Sequence, residues 1–178
     1  MAKSDNVTVT GHERTFDPDE IIVSKTDLDG KIVYGNRCFY RLADLGEKDC
    51  MNVQHNIVRH PDMPRAVFDL LWRTIKGGSE IFAYVMNRSA NGDHYWVFAH
   101  VTPSRDGSGN IVGYHSNRRV PNREVLNSHI IPLYKQLSTI EKQNPSPKEG
   151  LAASTKVIED LLAEKKTGFN ELMFSLGV

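Results

Sequence analysis

Cysteine is scarce in this chain: the 178 residues hold two, Cys38 and Cys50, and they form no CxxC pair. That excludes a disulfide-stapled secreted scaffold and agrees with a reducing compartment, where both thiols are expected as small buried fillers. Net charge is missing as well. Lys plus Arg total 22 and Asp plus Glu total 22, so no overall field draws the molecule to nucleic acid or to anionic lipid. No stretch approaches the roughly 18 apolar residues of a membrane span. The opening MAKSDNVTVTGHERTF has no apolar signal core. A cytoplasmic protein with no direct membrane insertion is therefore expected.

Catalytic signatures are also wanting, for no GxSxG, HExxH, P-loop or GxGxxG stands in a supporting context. The one metal-like grouping, His55, His60 and Asp62, lies around a non-helical loop, with no second Cys/His pair to complete a tetrahedral site. Neither an enzyme nor a metal centre is expected. The length suits one domain with a real core plus an appendage.

What is present reads as α+β. From Glu20, IIVSKTDLDGKIVYGN has two β-branched runs flanking Asp27-Leu28-Asp29-Gly30, the pattern of a hairpin. Asn36 is a candidate N-cap for CFYRLADL, a short helix that Gly46 is expected to end. Pro61 and Pro64 break the chain before a helix from Arg65 to Ile75, stopped by Gly77-Gly78. Three strand-like runs follow, EIFAYVMNR, HYWVFAHVTPS and IVGYHSNRRV, separated by the Gly-containing turns SANGDH and SRDGSGN. Two strands, short helices and three strands favour antiparallel pairing over a βαβ sheet.

Alternation splits HYWVFAHVTP into Tyr95, Val97, Ala99 and Val101 on one face and Trp96, Phe98 and His100 on the other. Both faces are largely apolar, so one covers the core and the other needs a cover, either the terminal segments of this chain or a second copy. Residues 122–142 read as a helix interrupted at Pro132, and QNPSPKEG as a linker. Beyond it, Leu151, Ile158, Leu161, Leu162, Phe169, Leu172, Met173 and Leu176 recur at three-and-four spacing, broken by Gly168. This stripe has no evident place in a compact core and is expected to mediate association, with a homodimer as the simplest form.

The stretch HNIVRHPDMPRAVFDLLW sets two histidines, two arginines and an aspartate around a proline turn. With the later NRSANGDHYWVFAHVTP and GYHSNRR, it resembles the PAS domains of bacterial aerotaxis and energy-taxis receptors, and most of all the short PAS-only members. The resemblance covers roughly residues 16–137. It implies a five-stranded antiparallel sheet with short helices over one face and a ligand cleft between them. The expected organisation is a polar N-terminal arm over residues 1–15, a PAS sensor domain over 16–121 and a C-terminal helical extension over 122–178.

The resemblance also implies non-covalent FAD as a redox-sensing cofactor and a membrane-bound chemotaxis transducer or histidine kinase as partner. Asn56, Arg59, His60 and Asp62 are then candidates for holding the flavin, with Asp62 orienting Arg59. Trp72 resembles the helix tryptophan beside the ring. Asn87 stands where flavin-binding relatives present an amide, which supplies both donor and acceptor. His115 and Asn117, on the last strand, resemble the place where light-sensing relatives use a glutamine. Receptors of this type often carry Trp and Gly where this chain reads Glu80-Ile81-Phe82-Ala83-Tyr84, so a different cleft wall is expected. The adduct-forming cysteine of light sensors is missing, and no photochemistry is expected. Haem or another small ligand, and a ligand-free dimerisation module, are the competing readings.

Overall fold

A computed structural model describes residues 7–176. The first six residues of the expected N-terminal arm and the last two of the chain lie outside the described residues. Strands β1 (Ile22–Thr26), β2 (Ile32–Gly35), β3 (Ile81–Arg88), β4 (His94–Arg105) and β5 (Ile111–Arg119) form one antiparallel sheet in the order β2-β1-β5-β4-β3. Helices α1 (Arg37–Ala43), α2 (Glu47–Cys50) and α3 (Arg65–Lys76), with a 3-10 turn at His55–Val58, are inserted between β2 and β3. Helices α4 (Arg123–Val125), α5 (Ile131–Gln143), α6 (Pro147–Lys165) and α7 (Phe169–Ser175) follow the last strand. The α+β architecture is the expected one.

Local chemistry explains the corners. Asp27 Oδ1 accepts the backbone N–H groups of Asp29 and Lys31 at 3.0 and 2.8 Å, and Gly30 takes φ +81° to close the hairpin. Asn36 caps α1 by accepting Phe39 N–H at 3.0 Å and also holds Val23 N–H at 3.1 Å. Helix α1 ends earlier than expected, at Asp44 in the left-handed region (φ 56°). Gly46 instead opens α2, where Asp49 accepts its N–H at 3.1 Å. Pro132 does not interrupt its helix: a π turn at Leu126–Ile130 widens the backbone ahead of it, and the proline sits in the first turn of α5.

The inner face of the sheet carries Ile22, Ile32, Tyr95 and Val97 against Phe39, Leu42, Val58 and Ile75, all buried. Cys38 and Cys50 are buried free thiols in the same core. The outer face of β3 and β4 is covered by this chain's own C-terminal helices. Tyr134 Oη donates to Tyr84 O at 2.8 Å, and Phe82 stands 4.6 Å from Phe174 between ring centroids. Asn170 completes the cover at the free edge of β3, accepting from Phe82 N–H at 2.8 Å and donating to Glu80 O at 3.1 Å.

The C-terminal stripe therefore has a place that its periodicity alone did not reveal. Ile158, Leu172 and Met173 are buried, and Leu151, Leu161, Leu162, Phe169 and Leu176 pack partly against the same core. The reading that the stripe has no place in the core is corrected, because it packs on the core of its own chain. The arm around residues 8–14 is likewise strapped down. Thr10 N–H donates to Gly92 O at 3.0 Å, His94 N–H to His12 O at 3.0 Å and Arg14 N–H to His94 O at 2.7 Å.

Candidate functional site

Between the inner face of the sheet and helix α3 lies a cavity of about 590 Å³, within the span typical of small-molecule and cofactor sites. Its apolar wall comes from Leu71, Trp72 and Ile75 on α3 and from Val85, Ala99 and Val101 on β3 and β4. Strand alternation sets this composition, since Val85 and Asn87 point inward while Phe82 and Tyr84 pack on the outer face against Phe98. The altered stretch at residues 80–84 therefore changes mainly the surface beneath the C-terminal helices. Ile81 and Ala83, inward by the same alternation, are buried in the core, and Val85 and Asn87 are the β3 residues that line the cavity.

Of the eight residues singled out from the sequence, the cavity brings together Asn56, Arg59, Trp72, Asn87 and His115. Asn56 is exposed at the mouth. Arg59 is fixed by a backbone bridge to Asn87, stacks 4.4 Å from the Phe68 ring and donates to Met63 O at 3.3 Å. Burial draws its pKa below the ordinary value. Trp72 packs edge-on to Tyr114 at 5.5 Å, under the hairpin turn at Gly30. His115 reaches the wall and hydrogen-bonds Asn117 at 3.0 Å.

His60, Asp62 and Asn117 are not among the lining residues. His60 is buried with its ring 5.8 Å from that of His94, and its Nδ1 accepts Asp62 N–H at 3.2 Å. Asp62 pairs with Lys142 at 3.1 Å and does not orient Arg59. The proline turn is thus divided: Asn56 and Arg59 face the cavity, while His60 and Asp62 tie the loop to β4 and α5.

The sequence reading passed over a polar cluster at the cavity's inner end. Arg118 on β5, 3 % exposed, donates through Nη2 to Ser24 Oγ and, at 3.1 Å, to His55 Nε2, and through Nε to Ser116 Oγ at 2.9 Å. Burial and the adjacent guanidinium push the His55 pKa down to about 3, so the ring is neutral. Arginine only donates, so Nε2 accepts and Nδ1 carries the proton. Burial draws Arg118 down to about 10, and it remains a cation at neutral pH. A usable signal was present, since Tyr114, Ser116 and Arg118 alternate on one face of a central strand, where an inward arginine is costly.

Three lining residues carry buried polar atoms without a hydrogen-bond partner among the described residues: Asn87 Nδ2, Thr26 Oγ1 and Arg118 Nη1. An unpaired buried donor costs about 1–3 kcal/mol, which a ligand rich in acceptors would recover. The donor set of amide, hydroxyl and guanidinium fits the carbonyl-bearing edge of a flavin. Among the described residues no three His, Cys, Asp or Glu side chains stand together as a metal site.

Comparison with known proteins agrees with the fold. Residues 32–118 match the family described as PAS fold. The chain is 39% identical over 132 residues to the aerotaxis receptor of Escherichia coli (strain K12), an alignment that covers 73% of this chain and 25% of the receptor. The chain thus spans about a quarter of that relative's length. Among solved structures, the light state of the blue-light photoreceptor Aureochrome1 LOV superposes with a TM-score of 0.56 at 24% identity, covering 62% of this chain and 89% of that one. A PAS domain from Colwellia psychrerythraea gives 0.52 at 15% identity, covering 57% and 86% respectively. At these identities the two structures speak to the fold.

Proposed function

The chain carries a PAS domain, of the kind found in aerotaxis receptors, and from that premise we propose that it binds FAD non-covalently and reports redox state to a chemotaxis signalling partner. The observation that carries the cofactor is the convergence of three unpaired buried polar atoms, on Asn87, Thr26 and Arg118, upon one cavity. A ligand-free interaction module would retain that desolvation cost with nothing to offset it. Haem is disfavoured because the Nε2 atoms of both cavity histidines are already engaged, His55 by Ser24 and Arg118 at 2.9 and 3.1 Å and His115 by Asn117 at 3.0 Å.

In this reading Asn87 and Arg118 meet the polar edge of the ring, while Trp72, Leu71 and Ile75 enclose its apolar part. Arg59 and Asn56 hold the ligand nearer the mouth. A bound flavin supplies reversible electron uptake, and the chain's own groups bind, orient and shield it. No catalytic residue is assigned, because a flavin without a substrate pocket serves sensing rather than turnover. Residues 16–121 act as the sensor, and the helices beyond carry its state outward.

The partner is a membrane-bound transducer or a histidine kinase, a reading supported by the aerotaxis relative. No described helix is long and apolar enough to cross a membrane; the proposal places the chain in the cytoplasm, beside that partner. An absorbance spectrum of the purified chain, incubated with FAD and passed through gel filtration, tests the cofactor. A co-eluting flavin spectrum is expected; a Soret band or a colourless protein would overturn the reading.

A further inference from the structure

Arg118 is a buried cation without a buried anion. Among the described residues no ion pair includes it. Its bonded neighbours, Ser24, Ser116 and neutral His55, are uncharged. The carboxylates on the cavity wall are elsewhere: Asp29 is exposed, and Asp69 is engaged by Arg73 at 2.8 Å. A buried charge left uncompensated is expensive, and its remaining donor nitrogen, Nη1, has no partner among the described residues. Other cations line the cavity in Arg59 and Lys76, while Arg65 is engaged by Glu141 at 3.1 Å. Arg118 is thus not the sole cation available to a ligand in this cavity.

We propose that Arg118 is the counter-charge for the reduced form of the ligand, holding the reduced flavin more tightly than the oxidised one. The inference rests on the flavin reading above. Two electrons and one proton turn the neutral oxidised ring into a monoanion; dithionite supplies the electrons in the test and water the proton. Only a difference in affinity between the two forms can shift the domain between states, and a dry, singly charged guanidinium provides such a difference. The two serines and His55 act as positioning residues, since they hold the fork so that Nη1, with its two N–H groups, is left for the ligand.

The test measures the affinity of the full chain for oxidised and dithionite-reduced FAD, and for riboflavin, in wild type, Arg118→Met and Arg118→Lys. The Met variant should lose reduced FAD about tenfold or more beyond its loss of oxidised FAD. The bound flavin's midpoint potential should fall by about 30 mV per tenfold, for a two-electron couple. The Lys variant, which keeps the charge, should retain most of the preference. If the Met variant fails to fold by circular dichroism, Arg118→Gln is read in its place. Equal losses in both redox states would overturn the inference, as would a loss confined to FAD with riboflavin unaffected, which would assign Arg118 to the phosphates. A wild type that takes up no flavin would remove the flavin reading itself, and this inference with it.

Discussion

Arg59 and Asn87, remote in sequence, face each other across an isolated antiparallel bridge. The bridge fastens the loop after the 3-10 turn to the edge of β3 that does not pair with β4, so the guanidinium and the amide reach one cavity from different segments. Asn87 is 4 % exposed and its Nδ2 lacks a partner among the described residues. Asn87→Leu should therefore weaken FAD retention by about tenfold or more, 1.4 kcal/mol being a factor of ten. Arg59→Ala should weaken it similarly and also lower stability, because the guanidinium stacks on Phe68. His12→Ala, on the arm against Asp93, should leave retention unchanged. Flavin absorbance after gel filtration decides; full occupancy in both site variants would sink the assignment.

Local chemistry was legible in the sequence wherever a motif announced itself. Asn36 as a cap, Gly30 in its turn and the grouping of Tyr95, Val97 and Ala99 on one face all follow from residue type and period. Three-dimensional placement was not. His60 and Arg59 are adjacent in the chain, yet one packs on His94 and the other lines the cavity. The 3-10 turn and proline bend set that division, and spacing alone does not resolve it. Arg118 was overlooked because charged residues usually face solvent; its alternation with Tyr114 and Ser116 was a signal, and the pairing of β5 between β1 and β4 shows that the face they share is enclosed.

The C-terminal helices are predicted to be structural parts of one chain. Ending the chain at Asn144 removes α6 and α7, and with them the buried Ile158, Leu172 and Met173 and the Phe174 contact with Phe82. At about 1.5–3 kcal/mol for each buried aliphatic side chain, the loss is several kcal/mol. The uncovered face of β3 and β4 should promote aggregation. Thermal melting and light scattering measure both effects. A truncated chain that melts with the full one and stays monomeric would restore association as the helices' main role.

Glu141 ties the cavity wall to those helices, and its pH dependence is predictable in sign. Its carboxylate accepts the backbone N–H groups of Arg65 and Ala66 at 2.9 and 3.0 Å, Arg65 Nε at 3.1 Å and Ser154 Oγ at 2.9 Å. One side chain thus joins the first turn of α3, which lines the cavity, to α5 and α6. Burial alone would raise its pKa, but the hydrogen bonds outweigh it and leave the group below its ordinary 4.5. A depressed folded pKa means that the unfolded chain binds the proton first as pH falls. The stabilisation is therefore complete above 4.5 and drains away as pH drops toward the folded value. Glu141→Gln should cost about 1–3 kcal/mol at neutral pH, because an amide offers one acceptor where two oxygens served and turns N–H donors toward the N–H groups of α3. That deficit should shrink progressively below pH 4.5, since the wild type loses there what the variant never had. Urea unfolding midpoints at neutral pH and below 4.5 measure it, and a deficit that holds constant or widens on acidification would refute the carboxylate's role in joining α3 to the C-terminal helices.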